Sequence, residues 1–238
     1  MAKEPWTLPS GEFCDELTRY KMANHPFKTH PFFRDLEAGK VPLPVVRHWA
    51  TQFYPWLACV PLAMAKRFSN CSWEAPFDPY RRLILDQLEE EAGKPDGSTI
   101  SHPELFLRFC EGLGLDRQQV MLSPPLPSTQ LAMDNFLYIN GTEPFYISAA
   151  GSSEPPNVEL CERLLPAMRK HYHVPDEKLE YYRLHVEADT EHTKYVNKMV
   201  RDFAGRSEEV RHRMWENMLR GFAIHQVLVD GALASAPR

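Results

Sequence analysis

Apolar residues recur along this chain at three- and four-residue intervals, and no pair of alternating segments joined by a hairpin turn interrupts them,. The pattern predicts helices over 11–25, over 31–40 with Gly39 closing the turn, and over the aromatic-rich stretch 42–70. Pro55 and Pro61 lie inside that stretch and predict a kink or break there,. A helix over 78–93 begins on Asp78 with Pro79 in its first turn and stops at Gly93,. Residues 93–101, "GKPDGSTIS", have the composition of a loop,. Ser101 and Glu104 then stand at capping-box spacing, with Pro103 between them, at the start of a helix over 101–114,. "PPLPS" at 124–128 reads as a linker, and 128–174 as two helical stretches broken around Gly141 and Pro155–Pro156. The longest uninterrupted helix is predicted over 175–205 and the last over 207–234. The fold class is therefore all-α, a bundle of about seven to nine helices forming one domain over 1–238,.

Composition narrows the partners. With 238 residues, 43% of them hydrophobic, the chain can bury a full core,. A net charge of −5 without a basic block argues against nucleic acid as a partner,. No apolar run approaches the ~20 residues that span a bilayer, and "MAKEPWTLPSGEF" lacks the apolar core of a signal peptide, so no membrane partner and a cytoplasmic location are expected,. Cys14, Cys59, Cys71, Cys110 and Cys161 are odd in number, far apart and without a C-x-x-C pair. A disulfide framework or a thiolate zinc site is not expected, and any metal would be held by nitrogen and oxygen.

One stretch carries concentrated chemistry. In "HVEADTEH", 185–192, His185, Asp189 and His192 are spaced by four and then three residues. At about 100° per residue these side chains fall within roughly 60° on one helix face. Two imidazoles and a carboxylate on one face suit half of a metal site, and equally a charged face turned to water. A second acidic region, Glu89 to Glu91, ends the helix before Gly93, where only one carboxylate can readily point inward. Acidic groups at a helix C-terminus oppose the dipole at about 0.3–1 kcal/mol each, which favours another reason for their presence. His102 opens the next helix and Glu154 precedes another. The aromatics Trp49, Phe53, Tyr54 and Trp56 read first as core, and Tyr138, Tyr146 and Tyr181 are candidates to line a cavity,.

Longer segments resemble a known superfamily. "HPFFRDLEAGKVP…RHWATQFYPWLACVPLAMAKRFSN" resembles the first helices of haem-oxygenase-like proteins of the PqqC/TenA superfamily. "LEEEAG…SHPELFLRFCEGLGL" resembles their E-E-x-G…H-P-x-L stretch, and "YYRLHVEADTEH" their H-x-x-x-D-x-x-H helix. The likeness runs from about residue 30 to the last helix and is greatest to the haem-oxygenase-like di-iron oxidases. It implies Glu90, His102, Glu154, His185, Asp189 and His192 as metal ligands, with Glu90 chosen by alignment on Gly93 and Glu91 as the alternative. It further implies two Fe(II) ions, O2 as cosubstrate and a homodimer. The implied activity is O2-dependent oxidation of a small molecule, an amino acid or its derivative, by N-oxygenation, C–C cleavage, desaturation or nitrile formation in specialised metabolism. Two departures stand out: Pro155 and Pro156 directly follow Glu154, where the family has a proline four residues on, and the Gly93–Ser101 loop is longer than usual.

Other functions remain in view. Quinone-cofactor synthases of the PqqC type work without metal and lack the complete carboxylate set. Thiaminase-type members use a nucleophilic cysteine, which the segment 141–156 does not contain. A ferritin-like centre wants two E-x-x-H motifs, and outside the resemblance only Glu209–His212 is found,. A zinc hydrolase would carry H-E-x-x-H, which is absent,. A non-catalytic helical interaction protein would leave polar groups crowded in a core with nothing to satisfy them.

Overall fold

The computed structural model describes residues 4–237, leaving out the side chain of Ala188; residues 1–3 and 238 of the predicted domain lie outside the described residues. Thirteen α-helices run through them: α1 (Ser10–Asn24), α2 (Pro26–Thr29), α3 (Pro31–Glu37), α4 (Leu43–Ala58), α5 (Val60–Ser69), α6 (Asp78–Ala92), α7 (His102–Gly112), α8 (Arg117–Leu122), α9 (Pro127–Thr142), α10 (Phe145–Ala150), α11 (Glu154–Tyr172), α12 (Glu180–Ala204) and α13 (Glu208–Ala234). Nine of these have ten residues or more, and no strand occurs among the described residues. No described helix is long and apolar enough to cross a membrane.

Local chemistry accounts for most boundaries. The predicted break in 42–70 falls at Cys59, four residues beyond Pro55, and Pro61 sits in the first turn of α5. There its missing N–H costs nothing, because first-turn amides have no partner within the helix. The same holds for Pro155 and Pro156, which begin α11 rather than interrupting it. Residues 128–174 therefore form three helices, not two, with the short α10 fitted between Pro144 and Gly151. The helix predicted from 175 starts at Glu180, after a 3-10 turn over Asp176–Lys178 that follows Pro175. At 27 residues α13 is longer than α12, which has 25.

The core is divided. One apolar cluster gathers α3, α4, α7 and α11 with Tyr181 and Tyr182 of α12 and Ile224 to Ala232 of α13. The other gathers α1 and α10 with Val196 to Ala204 of α12 and Met214 to Met218 of α13. The two longest helices thus pass through both clusters, and each turns polar or small where they meet. On α12 this middle section carries His185, Asp189 and His192, all buried. On α13 it carries Asn217, Gly221 and His225. A Cβ on Gly221 would come within 2.4 Å of the Gly151 carbonyl oxygen, so glycine is what lets α13 approach the end of α10,.

Candidate metal centre and its cavity

Three regions converge on the middle of α12. The first is the α6–α7 corner. Gly93 ends α6 at φ 74°, and its amide closes on Glu89 O at 2.9 Å. The loop folds back on itself through Lys94 N to Thr99 O, 2.9 Å, so tightly that a Cβ on Gly93 would lie 2.7 Å from Ser101 N. Ser101 then caps α7, its hydroxyl accepting from Glu104 N at 3.3 Å as the capping-box spacing predicts. This return brings His102, in the first turn of α7, beside the last turn of α6. Its Nδ1 lies 3.0 Å from Glu91 Oε2. The contact has the distance of an ion pair but not the direction of a hydrogen bond, and both atoms lack a hydrogen-bond partner.

The corner separates the two adjacent glutamates. Glu91 points inward, its side chain 12% exposed, and lines an internal cavity. Glu90 is 45% exposed and lines a surface cleft on the other side, where its Oε2 lies 2.9 Å from His192 Nε2. Glu90 is therefore at the rim and Glu91 in the interior. The alignment on Gly93 chose between neighbours that differ by one helical step of about 100°.

The second region is the start of α11. Glu154 is directed at the cavity, with Oε1 accepting from Gln87 Nε2 at 3.1 Å and Oε2 unpartnered. Asn157, one turn on, donates from Nδ2 to Asp189 Oδ2 at 2.7 Å. The third region is α12 itself. His185 donates from Nδ1 to Tyr181 O at 2.7 Å, which leaves Nε2 with a free lone pair. Its ring lies 4.4 Å from that of His102, centroid to centroid. His192 Nδ1 stands 3.6 Å from Asp189 Oδ1. The structure thus brings five of the six predicted residues, with Glu91, to one buried locus and leaves Glu90 at its edge.

Charge is crowded there. Burial opposes ionisation of Glu91, but His102 beside it, then His185 and His192, hold its carboxyl below the usual range. Burial also works against a charged His192, yet Asp189, Glu154 and Glu90 hold it up to about 9. Glu154 is pushed up by burial, against the pull of His192. Glu91 Oε2, both nitrogens of His102, Glu154 Oε2 and His192 Nε2 are buried without partners. Three of them stand in charge contacts without hydrogen-bond geometry, Glu91 Oε2 with His102 Nδ1 and His192 Nε2 with Glu90 Oε2. His102 Nε2 and Glu154 Oε2 have neither, and such a bare atom costs about 1–3 kcal/mol,. Among the described residues no three donor side chains close around one point at ligand distance. The donor chemistry nevertheless fits a metal: carboxylates and imidazoles only, with Gln87, Asn157 and the Tyr181 carbonyl orienting Glu154, Asp189 and His185 from behind,. The five cysteines are free and buried.

Phe27, Phe53, Trp56, Phe136 and Ile224 also line this cavity. Trp49 and Trp56 belong to the core as read, Phe53 packs against it, and Phe53 and Trp56 also form part of the cavity wall. Tyr181 lines the cavity and Tyr138 is exposed. Sequence reasoning missed Gln87 and Asn157, although Asn157 stands three residues from Glu154 on a helix and so shares its face. It also missed Arg67 and His225, which line the same cavity.

Comparison with known proteins gives the family and the fold. A 4-aminobenzoate synthase of Nitrosomonas europaea is 24% identical over 191 residues, covering 76% of this chain and 75% of that protein. A pyrroloquinoline-quinone synthase of Rhodopseudomonas palustris is 28% identical over 178 residues, covering 74% and 68%. Among solved structures, a CADD-like protein of unknown function from Nostoc punctiforme superposes with a TM-score of 0.76 at 13% identity, over 96% of this chain and 99% of that one. The fold is the haem-oxygenase-like one. The family described as iron-containing redox enzymes matches residues 47–226, three quarters of the sequence, and the chain belongs to it.

Proposed function

We propose that the protein is an O2-dependent non-haem di-iron oxidase whose ligands are Glu91, His102, Glu154, His185, Asp189 and His192. Glu91 takes the place that alignment gave to Glu90, because its carboxylate is the one turned into the interior. The observation that carries the reading is the gathering of five buried nitrogen and oxygen atoms without a hydrogen bond on four of these side chains. Bound iron would supply the electrons that reduce O2. The chain's own contribution is position: the Tyr181 carbonyl fixes which His185 nitrogen faces inward, while Asn157 and Gln87 each hold one carboxylate oxygen and leave the other free. Aromatic side chains on the cavity wall would disfavour water beside bound substrate,. A small amino-acid-type substrate suits a chamber of this kind. One relative's name points the same way, since 4-aminobenzoate is itself an amino carboxylate.

The likeness to pyrroloquinoline-quinone synthases favours a second reading, a metal-free oxidase on the same fold. Anaerobic Fe(II) titration, followed by mixing with O2 under stopped-flow absorbance, separates the two. Two irons per chain and an O2-dependent absorbance change are expected in the wild type and in Glu90→Gln. Glu91→Gln should lose at least one iron. Uptake of no iron by the wild type would overturn the di-iron reading, and loss of iron in Glu90→Gln alone would return the ligand role to Glu90.

A further inference from the structure

The cavity carries a second set of polar groups that metal ligation leaves unused. Arg67, on α5, is 1% exposed and lines the cavity. Its Nε donates to Asn140 Oδ1 at 2.8 Å, and its Nη1 has no partner. A guanidinium stays charged even when buried, and a buried charge without a counter-charge is strongly unfavourable. Glu154 is the carboxylate that both Arg67 and the buried Lys21 face. Lys21 spends its Nζ on the Ser152 carbonyl at 3.0 Å. Nη1 of Arg67 is thus a cationic donor left without an acceptor, on a residue that lines the cavity.

Two acceptors line the same cavity with no donor to satisfy them: Asn217 Oδ1 and His225 Nε2. Asn217 donates from Nδ2 to Arg213 O at 3.3 Å, so its oxygen is left over. His225 Nδ1 lies 2.8 Å from Gly221 O and must carry the hydrogen, which makes Nε2 a lone pair,. Burial holds this imidazole down at about 4, so it is a neutral acceptor near pH 7. One cationic donor without an acceptor, two acceptors without donors and an aromatic wall together describe a ligand.

We propose that this cavity binds an amino carboxylate with an apolar or aromatic body: Arg67 anchors the carboxylate, Asn217 and His225 accept from the amino group, and Phe53, Trp56 and Phe136 enclose the body. Glu91, Glu154, His185 and Asp189 line the same cavity, so the amino carboxylate is held beside the oxidising site. The inference rests on the oxidase reading only for that last placement. Arg67, Asn217 and His225 are set by the fold, and binding can be tested without iron.

The experiment is isothermal titration of the chelator-treated, metal-free protein with L-phenylalanine, L-leucine and 4-aminobenzoate. L-phenylalaninamide, 3-phenylpropionate and inorganic phosphate serve as comparisons. At least one amino carboxylate should bind, and phenylalanine should bind about 30-fold or more tighter than its amide if it is the one accepted. Removing the amino group should weaken binding by about 5-fold or more. Arg67→Gln should abolish the preference for the acid, while Arg67→Lys, which keeps the charge but not the planar edge, should retain part of it. Should Arg67→Gln fail to fold, the acid–amide comparison in the wild type decides alone. Binding of none of the three amino carboxylates, equal binding of acid and amide, or tighter binding of phosphate would each overturn the proposal, whatever the iron titration shows.

Discussion

Replacing His225 by Asn offers a quantitative test of how the interior is built. Asn can still donate to the Gly221 carbonyl, as His225 Nδ1 does at 2.8 Å, but it cannot take a proton. In the folded chain burial lowers the imidazole from an ordinary 6.5 to about 4. Between those two values the unfolded chain binds a proton that the folded chain refuses, so stability is complete above about pH 6.5, declines on acidification and levels off below about 4. At about 1.4 kcal/mol per pH unit, the single imidazole withdraws about 3 kcal/mol over that window. His25, 1% exposed with its ring 4.9 Å from that of His225, is lowered by burial too and adds in the same sense. Denaturant unfolding of the metal-free protein, followed by circular dichroism at pH 7 and pH 4.5, measures the effect. His225→Asn is expected to be less stable at pH 7, because it loses ring packing against Phe27 and Trp56. It should nevertheless lose about 2–3 kcal/mol less than the wild type on going to pH 4.5. Parallel losses in the two proteins would mean that His225 is not held neutral by burial, and the acceptor role given to its Nε2 would fall with it.

Two further substitutions probe how the site is positioned. Gly93→Ala must force a side chain into positive φ, with its Cβ 2.7 Å from Ser101 N. It should cost about 1 kcal/mol or more, seen as a fall in Tm of about 2–4 °C or greater, and should weaken iron uptake because the Glu91–His102 corner shifts. Asn157→Leu removes the donor that holds Asp189 Oδ2 at 2.7 Å. Iron affinity should drop about 10- to 100-fold while the metal-free melting temperature changes little, and unchanged affinity would show that Asp189 does not need this orientation.

Some of this was legible in the chain because it depends on local geometry alone. The 185–192 stripe needs only the helical step to put three side chains on one face, and all three are buried together. Gly93 and the Ser101–Glu104 pair mark a helix end and a helix start through their own backbone chemistry. Glu90 and Glu91 could not be separated in the same way. Their difference is how α6 is rolled against the bundle, which is set by packing of Ile84 and Gln87 in the interior rather than by anything adjacent in sequence. Arg67 and His225 were hidden for a related reason. Each is one polar residue among several on its helix, and its meaning lies in what a distant helix fails to offer it. The short α10 escaped because six residues between a proline and a glycine carry too little periodicity to read.

The meeting of the two apolar clusters along α12 and α13 also bears on cohesion. Where those helices cross from one cluster to the other, their inward faces are histidine, carboxylate, amide and glycine, which contribute little apolar area to hold the halves together,. The bundle is weakest by its own means at the place where an ion and a small molecule would add the most. Occupancy there links the halves as a keystone links the sides of an arch, so filling the site would be felt as rigidity of the entire molecule and emptying it as a hinge along its middle.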